Sequence, residues 1–362
     1  MRDEMLLKLK DGAEFRGRSF GAEKSISGEV VFVTGMVGYP EALTDPSFRG
    51  QILVFTYPLI GNYGVPDKRF WESKKIQVSG LIVSTYNSTP SHWQSKQTLS
   101  QWLKKEGVPA LEVKDTRGLT LKLRTQGVML GKIDFTESGA GRKSGKDIGS
   151  VFRKDNFEDP NLRNLVAEVS IKKPQIIGSG KTTVALIDCG AKANIARSLA
   201  KRGLKVVIVP WNFNPLKLKQ KISGVVISNG PGDPQMAGET VANVKALMNK
   251  KLPILGICLG NQILALAAGG TTFKLKFGHR GQNQPCVLSG TNRCVLTTQN
   301  HGFAVGKIPK GFKEWFYNAN DNTNEGIIHR KLPLMSVQFH PEAAPGPTDA
   351  DWIFDEFVKT LK

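Results

Sequence analysis

The stretch that decides the fold is Pro253-Ile254-Leu255-Gly256-Ile257-Cys258-Leu259-Gly260-Asn261-Gln262. Its apolar first half predicts a buried strand ending at Ile257, and residues 262–268 predict a helix. Cys258 therefore lies on a sharp strand-to-helix turn, whose glycines leave room for a strained backbone. A helix N-terminus favours a thiolate and offers unpaired N–H groups to an oxyanion. The turn predicts a nucleophilic cysteine; a small buried structural cysteine is the alternative.

From Thr183 onwards, aliphatic strands alternate with helices. Strands are predicted at 184–187, 206–209, 224–228 and 254–257, and helices at 193–202 and 239–250. This alternation is typical of a doubly wound, mostly parallel sheet, which binds its ligands at the carboxyl ends of the strands. The Cys258 turn and the loop at 228–234 both follow strands. We therefore expect them to face one pocket.

The first half of the chain is β-rich. Strands are predicted at 6–10, 13–16, 28–33 and 51–56, the first two joined at Asp11-Gly12 in a hairpin, and helices at 95–106 and 119–126. The segments 34–47 and 57–64 are too rich in Gly and Pro for regular structure, so they predict either binding loops or simple turns. Residues 137–154 predict a flexible linker or surface loop. We place an N-terminal β-rich α/β domain at 1–177 and a second α/β domain at 178–362.

Composition sets the broad class. A chain of 362 residues is long enough for two domains. It has no apolar run that would span a membrane, no secretory signal pattern and only four cysteines, so we expect a cytoplasmic protein with reduced thiols and no membrane contact. The net charge of +19 is spread over both halves and is not interleaved with aromatic residues. We expect a generally basic surface and no nucleic acid, with a specific polyanion as the alternative.

Two further kinds of site are rejected. Residues 178–182 read Gly-Ser-Gly-Lys-Thr, but a phosphate-binding loop needs a glycine where Gln175 stands, and here the strand follows the motif instead of preceding it. No group of His, Cys and carboxylate residues has zinc-site spacing. The sequence therefore predicts neither a nucleotide site nor a metal.

A cysteine nucleophile needs a general base and a group that orients the base. An alternating strand from Met335 to Glu342 would place His340 and Glu342 on the same face, where the carboxylate fixes the imidazole tautomer. The rival is His301, which has no acidic residue near it in sequence. We identify no acid–base partner for His92, His279 or His329.

Three of these motifs resemble those of the class I (triad) glutamine amidotransferases: residues 256–260, 229–234 and 340–342. In the first half, the segments 34–47 and 56–64 resemble the small, glutaminase subunit of carbamoyl-phosphate synthetase. The resemblance covers nearly the whole chain and is weakest from Glu137 to about Leu165. Other class I enzymes would leave residues 1–177 unexplained, so the small-subunit resemblance is the more specific.

The resemblance implies that Cys258 forms a glutamyl thioester with L-glutamine, that His340 transfers protons, and that Glu342 orients His340. It implies an oxyanion hole built from the backbone N–H groups of Gly230 and Leu259. It also implies a large partner subunit that uses ATP and Mg²⁺ to make carbamoyl phosphate from the ammonia, with no cofactor in this chain. The positions that would hold glutamine are Ser47, Gly230, Gly232, Gln262, Asn300, Gly302 and Phe303.

Asn261 departs from the family pattern, since most active members have histidine there. Asparagine resembles the ammonia-dependent relatives, but those have also lost the cysteine. Because Cys258 is present, we expect an active glutaminase subunit. The alternative is a catalytically impaired regulatory or structural subunit of the same complex.

Overall fold

A computed structural model describes residues 4–135 and 157–361, and the linker predicted at 137–154 lies outside them. The chain divides into two compact units. The first comprises Met1–Leu43, Gly50–Phe70 and Lys75–Pro160; the second comprises Thr44–Arg49, Trp71–Lys74 and Asn161–Lys362. The main boundary between the units therefore follows Pro160. Two short segments that come early in the chain, Thr44–Arg49 and Trp71–Lys74, also belong to the second unit. The sequence-domain boundary after residue 177 stays a prediction.

The described part of the first unit contains nine strands and three short α-helices. The strands are β1 (Glu4–Leu9), β2 (Glu14–Ser19), β3 (Ile26–Val33), β4 (Gln51–Phe55), β5 (Leu59–Ile60), β6 (Gly80–Val83), β7 (Thr85–Tyr86), β8 (Ala110–Glu112) and β9 (Met129–Phe135). The helices are α1 (Tyr39–Thr44), α2 (Leu99–Glu106) and α3 (Thr116–Gln126). Seven of the strands close into a barrel in the order β1-β2-β8-β6-β4-β3-β9, while β5 pairs with β7.

Local sequence explains most of this unit. The predicted hairpin is confirmed: β1 and β2 pair antiparallel around Asp11-Gly12. The helix predicted from residue 95 begins instead at Leu99, where Thr98 and Gln101 form a capping box. The prediction that 34–47 lacks regular structure is wrong, because it contains α1 and a 3-10 helix, Pro46–Phe48. Prolines are tolerated in a first helical turn, whose N–H groups have no intrahelical acceptor.

The second unit contains ten strands and five α-helices within its described residues. The strands are β10 (Gln175–Ile177), β11 (Thr182–Asp188), β12 (Leu204–Pro210), β13 (Gly224–Ile227), β14 (Ile254–Ile257), β15 (Thr272–Leu288), β16 (Cys294–Val305), β17 (Phe312–Asn318), β18 (Asn324–His329) and β19 (Leu334–Val337). The helices are α4 (Leu165–Val169), α5 (Ala193–Lys201), α6 (Gly238–Asn249), α7 (Leu259–Ala267) and α8 (Trp352–Lys359). The strands form one sheet in the order β10-β12-β11-β13-β14-β19-β18-β16-β15-β17.

The α/β class and the parallel strands are confirmed. Strands β12, β11, β13, β14 and β19 run parallel at the centre of the sheet, and their aliphatic side chains are buried. The antiparallel strands β15 to β18 were not predicted, because much of β15 is exposed and carries no clear apolar alternation. No helix in the described ranges has both the length and the apolar character to cross a membrane.

Two boundaries near the site differ from the sequence predictions. The strand predicted to reach Glu342 ends at Val337, and a turn follows in which the Ala343 N–H donates to the His340 carbonyl oxygen. Pro341 has no N–H for a strand ladder, which favours ending the strand before it. The helix predicted from residue 262 begins at Leu259, directly after the cysteine.

Candidate active site

Cys258 occupies a strained turn between β14 and α7. Its φ of 55° and ψ of −104° are unusual for a residue with a side chain. Its backbone N–H donates to the Val337 carbonyl oxygen at 2.8 Å, so the turn is fixed to β19. A Cβ on Gly256 would overlap the carbonyl oxygen of Gly260, and a Cβ on Gly260 would overlap that of Ile227. Positions 256 and 260, two residues before and after the cysteine, therefore accept only glycine.

A buried ion-pair cluster lies at the end of β19. Nδ1 of His340 is 2.7 Å from Oε1 of Glu342, and both side chains are almost completely buried. Nζ of Lys192 lies 3.2 Å from the same oxygen, with only 2% of its side chain exposed. Lys192 also donates to the carbonyl oxygen of Ala343. One carboxylate oxygen of Glu342 thus pairs with two cationic donors. Lys192 is a member of this cluster that the sequence did not reveal.

The electrostatics of the cluster favour a charged pair. Burial lowers the pKa of His340, but the carboxylate of Glu342 and the neighbouring Cys258 sulfur outweigh it and raise that pKa to about 10. Burial raises the pKa of Glu342, but Lys192 and His340 outweigh it and lower that pKa to about 2. At neutral pH the pair is therefore imidazolium and carboxylate. Nε2 of His340 has no hydrogen-bond partner within the described residues, and Sγ of Cys258 lies 3.7 Å from the Asn300 carbonyl oxygen.

A second buried carboxylate anchors the helix that follows Lys192. Oε2 of Glu72 accepts the backbone N–H of Asn194 at 3.0 Å, in the first turn of α5, and Oε1 lies 3.3 Å from Nη1 of Arg197. Burial outweighs the charge of Lys192 and raises the pKa of Glu72 to about 7. This residue comes from one of the two early segments that belong to the second unit.

Asp45 connects three polar residues, because it accepts hydrogen bonds from the Ser47 backbone and from the side-chain amides of Asn229 and Asn300. Oδ1 accepts the Ser47 backbone N–H at 2.9 Å, and Oδ2 accepts the Asn300 side-chain amide at 3.0 Å. The Asn229 amide donates to the Ser47 hydroxyl at 2.9 Å. The structure therefore brings together Ser47 and Asn300, two of the positions named from sequence. Asp45 and Asn229 were missed, although Asp45 stands as the N-cap before Pro46, a readable signal.

The loop after β13 approaches the cysteine turn closely. A Cβ on Gly230 would overlap the carbonyl oxygen of Cys189 and crowd the Leu259 side chain. Leu259 is the first residue of α7, so its N–H belongs to the turn that lacks intrahelical acceptors. Gly232 has a φ of 80°, which favours glycine. The backbone positions predicted for an oxyanion hole thus lie on adjoining segments.

The remaining predicted positions lie on α7 and β16. Nε2 of Gln262 donates to the Phe303 carbonyl oxygen at 2.7 Å and to Oε1 of Gln338 at 3.2 Å. Gly302 precedes Phe303 on β16, and a Cβ there would lie 3.1 Å from Nη2 of Arg280. The Gln262 contact ties α7 to β16, the strand that also carries Asn300.

Asn261 makes its hydrogen bonds inside the core. Its amide donates to Oε1 of Gln338 at 3.0 Å, and its oxygen accepts the Ser336 hydroxyl at 2.7 Å. The side chain is fully buried. Asn261 therefore joins α7 to β19 and to the residue that follows β19.

His279, for which the sequence identified no acid–base partner, has two acidic partners in the structure. Its Nε2 lies 2.8 Å from Oδ2 of Asp321, and its Nδ1 lies 3.2 Å from Oε1 of Glu325. These acids are distant in sequence and reach His279 through strand pairing. Nδ1 of His301 lies 2.8 Å from the Phe303 carbonyl oxygen, and burial together with the positive charge of His279 lowers the pKa of His301 well below its ordinary value.

Comparison with known proteins places both halves of the chain. Residues 185–360 match the family "Glutamine amidotransferase class-I", and residues 7–133 match "Carbamoyl-phosphate synthase small chain, CPSase domain". The second unit is thus a class I amidotransferase domain, as predicted from sequence.

Individual relatives extend this match to the full length. "Multifunctional protein CAD" of Squalus acanthias is 50% identical, with 98% of this chain and 16% of that protein aligned. "Multifunctional protein URA2" of Saccharomyces cerevisiae is 46% identical, with 98% of this chain and 17% of that protein aligned. "Carbamoyl phosphate synthase arginine-specific small chain" of Neurospora crassa is 46% identical, with 99% of this chain and 80% of that protein aligned. The chain spans about a sixth of the multifunctional relatives and most of the small chain.

Proposed function

The chain belongs to the family of carbamoyl-phosphate synthase small chains, and we propose that it is the glutaminase component of a glutamine-dependent carbamoyl-phosphate synthase. The observation that carries the proposal is the pairing of a cysteine on a strained helix-start turn with a buried His340–Glu342 ion pair. A cysteine, a histidine and an orienting carboxylate form the constellation that acyl transfer through a thioester needs. The substrate in this proposal is L-glutamine.

Each group has a defined role in the proposed reaction. Sγ of Cys258 attacks the amide carbon of the glutamine side chain as a thiolate, its proton being held on Nε2 of the His340 imidazolium, and the oxyanion receives hydrogen bonds from the backbone N–H groups of Gly230 and Leu259. His340 donates a proton from Nε2 to the departing ammonia, leaving a glutamyl thioester on Cys258. Nε2 then takes a proton from water, which hydrolyses the thioester to glutamate. Glu342 accepts the Nδ1–H of His340 throughout and so keeps Nε2 directed at the reacting atoms.

The remaining positions would hold the substrate. Ser47, Gly232, Gln262, Asn300, Gly302 and Phe303 would contact the glutamine backbone and side chain. Support comes from the hydrogen bonds that link Asn300 to Asp45 and Gln262 to Phe303, since both fix segments beside Cys258. Side chains that hydrogen bonds already fix in place lose little conformational entropy when they bind a ligand.

The ammonia would pass to a large synthetase component that uses ATP and Mg²⁺, with no cofactor in this chain. The relatives support such a partner, because one of them is named a small chain and others are long multifunctional proteins. The carbamoyl phosphate would serve arginine or pyrimidine synthesis. Four unpaired cysteines support a cytoplasmic location.

One experiment tests the proposal against the alternative of a catalytically impaired subunit. Glutamine hydrolysis and carbamoyl phosphate formation are measured for the native chain, Cys258→Ser and Cys294→Ser, each with a purified large synthetase component. Cys294 is an exposed cysteine outside the site and serves as the matched control. We expect Cys258→Ser to lose glutamine-dependent synthesis by at least about 10³-fold while ammonia-dependent synthesis survives. Glutamine hydrolysis that persists in Cys258→Ser, or that is absent from the native chain, would refute the proposal.

A further inference from the structure

Three metal-ligating side chains meet on the antiparallel part of the second unit. His279 on β15 lies directly opposite His301 on β16, and Glu325 lies on β18. One ligand atom of each lies within 4.8 Å of the others, and all three residues are buried. His279 and Glu325, the closest pair in the group, are 46 residues apart in sequence. A search for short ligand spacings along the chain therefore cannot find the group.

Each histidine commits one ring nitrogen to an outer acceptor. Nε2 of His279 lies 2.8 Å from the Asp321 carboxylate, and Nδ1 of His301 lies 2.8 Å from the Phe303 carbonyl oxygen. If each of these nitrogens carries the hydrogen of a neutral imidazole, Nδ1 of His279 and Nε2 of His301 are unprotonated and have a free lone pair. Both of these nitrogens lie on the side of Glu325. Histidines that bind metals almost always donate their other N–H to a carboxylate or a backbone carbonyl in this way. Both histidines therefore already make the second hydrogen bond that a metal-binding histidine normally makes.

Acceptor atoms collect at the centre of the group. Oε1 of Glu325 lies 3.2 Å from Nδ1 of His279 and 4.0 Å from Nε2 of His301, and it also accepts the Asn318 amide at 3.2 Å. Oε2 of Glu325 is buried and has no hydrogen-bond partner within the described residues. Nε2 of His301 faces a further acceptor, the Gln299 side-chain oxygen, at 3.3 Å. A buried carboxylate oxygen without a donor is costly unless a proton or a cation binds it.

The distances fit a small divalent ion. Ligand atoms about 2.0–2.1 Å from zinc are separated by roughly 3.3 Å in a tetrahedral site. The 3.2 Å separation between Nδ1 of His279 and Oε1 of Glu325 matches this value, whereas the 4.0 Å separation between Nε2 of His301 and Oε1 of Glu325 would have to shorten by about 0.7 Å. Because all the ligand atoms lie within 4.8 Å of one another, binding would require no pair to approach by more than about 1.5 Å. Two imidazoles and one carboxylate favour zinc over magnesium or calcium, which prefer oxygen ligands alone.

We propose that Nδ1 of His279, Nε2 of His301 and the carboxylate of Glu325 bind one zinc-class divalent ion, with a fourth position open to water. The ion would join β15, β16 and β18. It would hold His301, whose Nδ1 contacts the Phe303 carbonyl oxygen that also accepts the Gln262 amide. In this proposal the role of the ion is to stiffen the segment of β16 next to the cysteine turn. It revises the sequence expectation of no metal, which rested on spacing along the chain alone.

Direct metal binding tests the proposal. The full chain is stripped of metal and titrated with Zn²⁺ against a chromophoric chelator, and Co²⁺ is used in parallel as a spectroscopic probe. We expect one equivalent of Zn²⁺ to bind, and a Co²⁺ spectrum of nitrogen and oxygen ligands without thiolate-to-metal charge transfer. Glu325→Gln keeps the side-chain size and an oxygen for Asn318, and we expect it to weaken binding at least 100-fold.

Two further variants keep the test decisive if Glu325→Gln fails to fold. Asp321→Asn alters an outer acceptor whose side chain is 42% exposed, and we expect it to weaken binding about 10–100-fold with all three ligands intact. His92→Gln removes an exposed histidine outside the group and should bind as the native chain does. Equal affinity in native and Asp321→Asn chains, thiolate bands with Co²⁺, or no stoichiometric binding would overturn the proposal. In the last case, a protonated His279 shared between Asp321 and Glu325 would explain the geometry. Because no glutamine is present, the outcome is independent of the proposed glutaminase activity.

Discussion

Replacing Lys192 with methionine tests whether the buried cluster depends on its ammonium group. Methionine keeps most of the side-chain length but removes the charge. Nζ of Lys192 lies 3.2 Å from Oε1 of Glu342, and neither side chain is exposed by more than 2%. The Ala343 carbonyl oxygen loses a donor as well. His340 would then be the remaining cation against a carboxylate that has no access to water.

The size of the effect follows from this burial. Removing one member of a buried ion pair typically costs about 3–5 kcal/mol, because the other charge is left desolvated. Because water does not reach the Lys192–Glu342 pair, solvent screening does not reduce this cost. Glu72 also loses a favourable neighbour, since the charge of Lys192 opposes the effect of burial on its pKa. We therefore expect the free energy of unfolding to fall by about 3–5 kcal/mol in Lys192→Met.

Urea unfolding, followed by both circular dichroism and tryptophan fluorescence, measures this change. The matched control is Lys359→Met, because Nζ of Lys359 lies 2.6 Å from Oε1 of Glu356 but its side chain is 69% exposed. The two variants share the substitution and the type of pair and differ in burial. We expect no resolved change in the control, as is common for surface pairs. A loss below about 1 kcal/mol in Lys192→Met would refute the reasoning.

Three other predictions concern the site. The pKa of folded His340 is raised from 6.5 to about 10, so its stabilisation is complete below pH 6.5 and is lost as the pH rises through about 10. Unfolding measured in native and His340→Asn chains should show a difference that shrinks between about pH 7 and pH 10, and a growing difference would contradict the sign. Asn261→Ala should lower the free energy of unfolding by about 1–3 kcal/mol, because the buried Ser336 hydroxyl loses its acceptor, and should change the glutaminase rate less than about tenfold; unchanged stability in urea would argue against the hydrogen bond. Gly230→Ala should lower kcat for glutamine hydrolysis about 10²–10³-fold, because a Cβ there would displace an oxyanion donor. The control is Gly238→Ala, which has open space for a Cβ and should keep the native kcat. Equal kcat values in the two variants would count against the proposed oxyanion hole.

Local sequence patterns predicted the parts of the fold that local physics determines. The aliphatic runs of β11 to β14 require burial on both faces, so their parallel arrangement could be inferred. The spacing of Gly256 and Gly260 about Cys258 predicted a close-packed turn, and the structure shows both glycines where a Cβ would overlap backbone. The pairing of His340 with Glu342 also followed from near neighbours in sequence.

Contacts between distant segments could not be predicted in this way. The sequence around Lys192 does not distinguish it from a surface lysine, and only the folded chain brings it to Glu342, 150 residues later. The same holds for Asp45 with Asn300 and for His279 with Glu325. Extending the strand to Glu342 was wrong because apolar alternation continues past Val337 although Pro341 cannot continue the ladder.

The two early segments, Thr44–Arg49 and Trp71–Lys74, limit how this catalytic half could be transplanted. A gene fragment that starts at residue 161 would encode Cys258, His340, Glu342 and the whole ten-stranded sheet. It would nevertheless omit Asp45, so the buried amides of Asn229 and Asn300 would lose an acceptor, at about 1–3 kcal/mol for each unsatisfied group. It would also omit Glu72, whose carboxylate accepts an N–H at the start of α5. The catalytic half is thus not a detachable module along the chain, and a fusion or a minimal enzyme derived from it has to include two loops encoded within the other half.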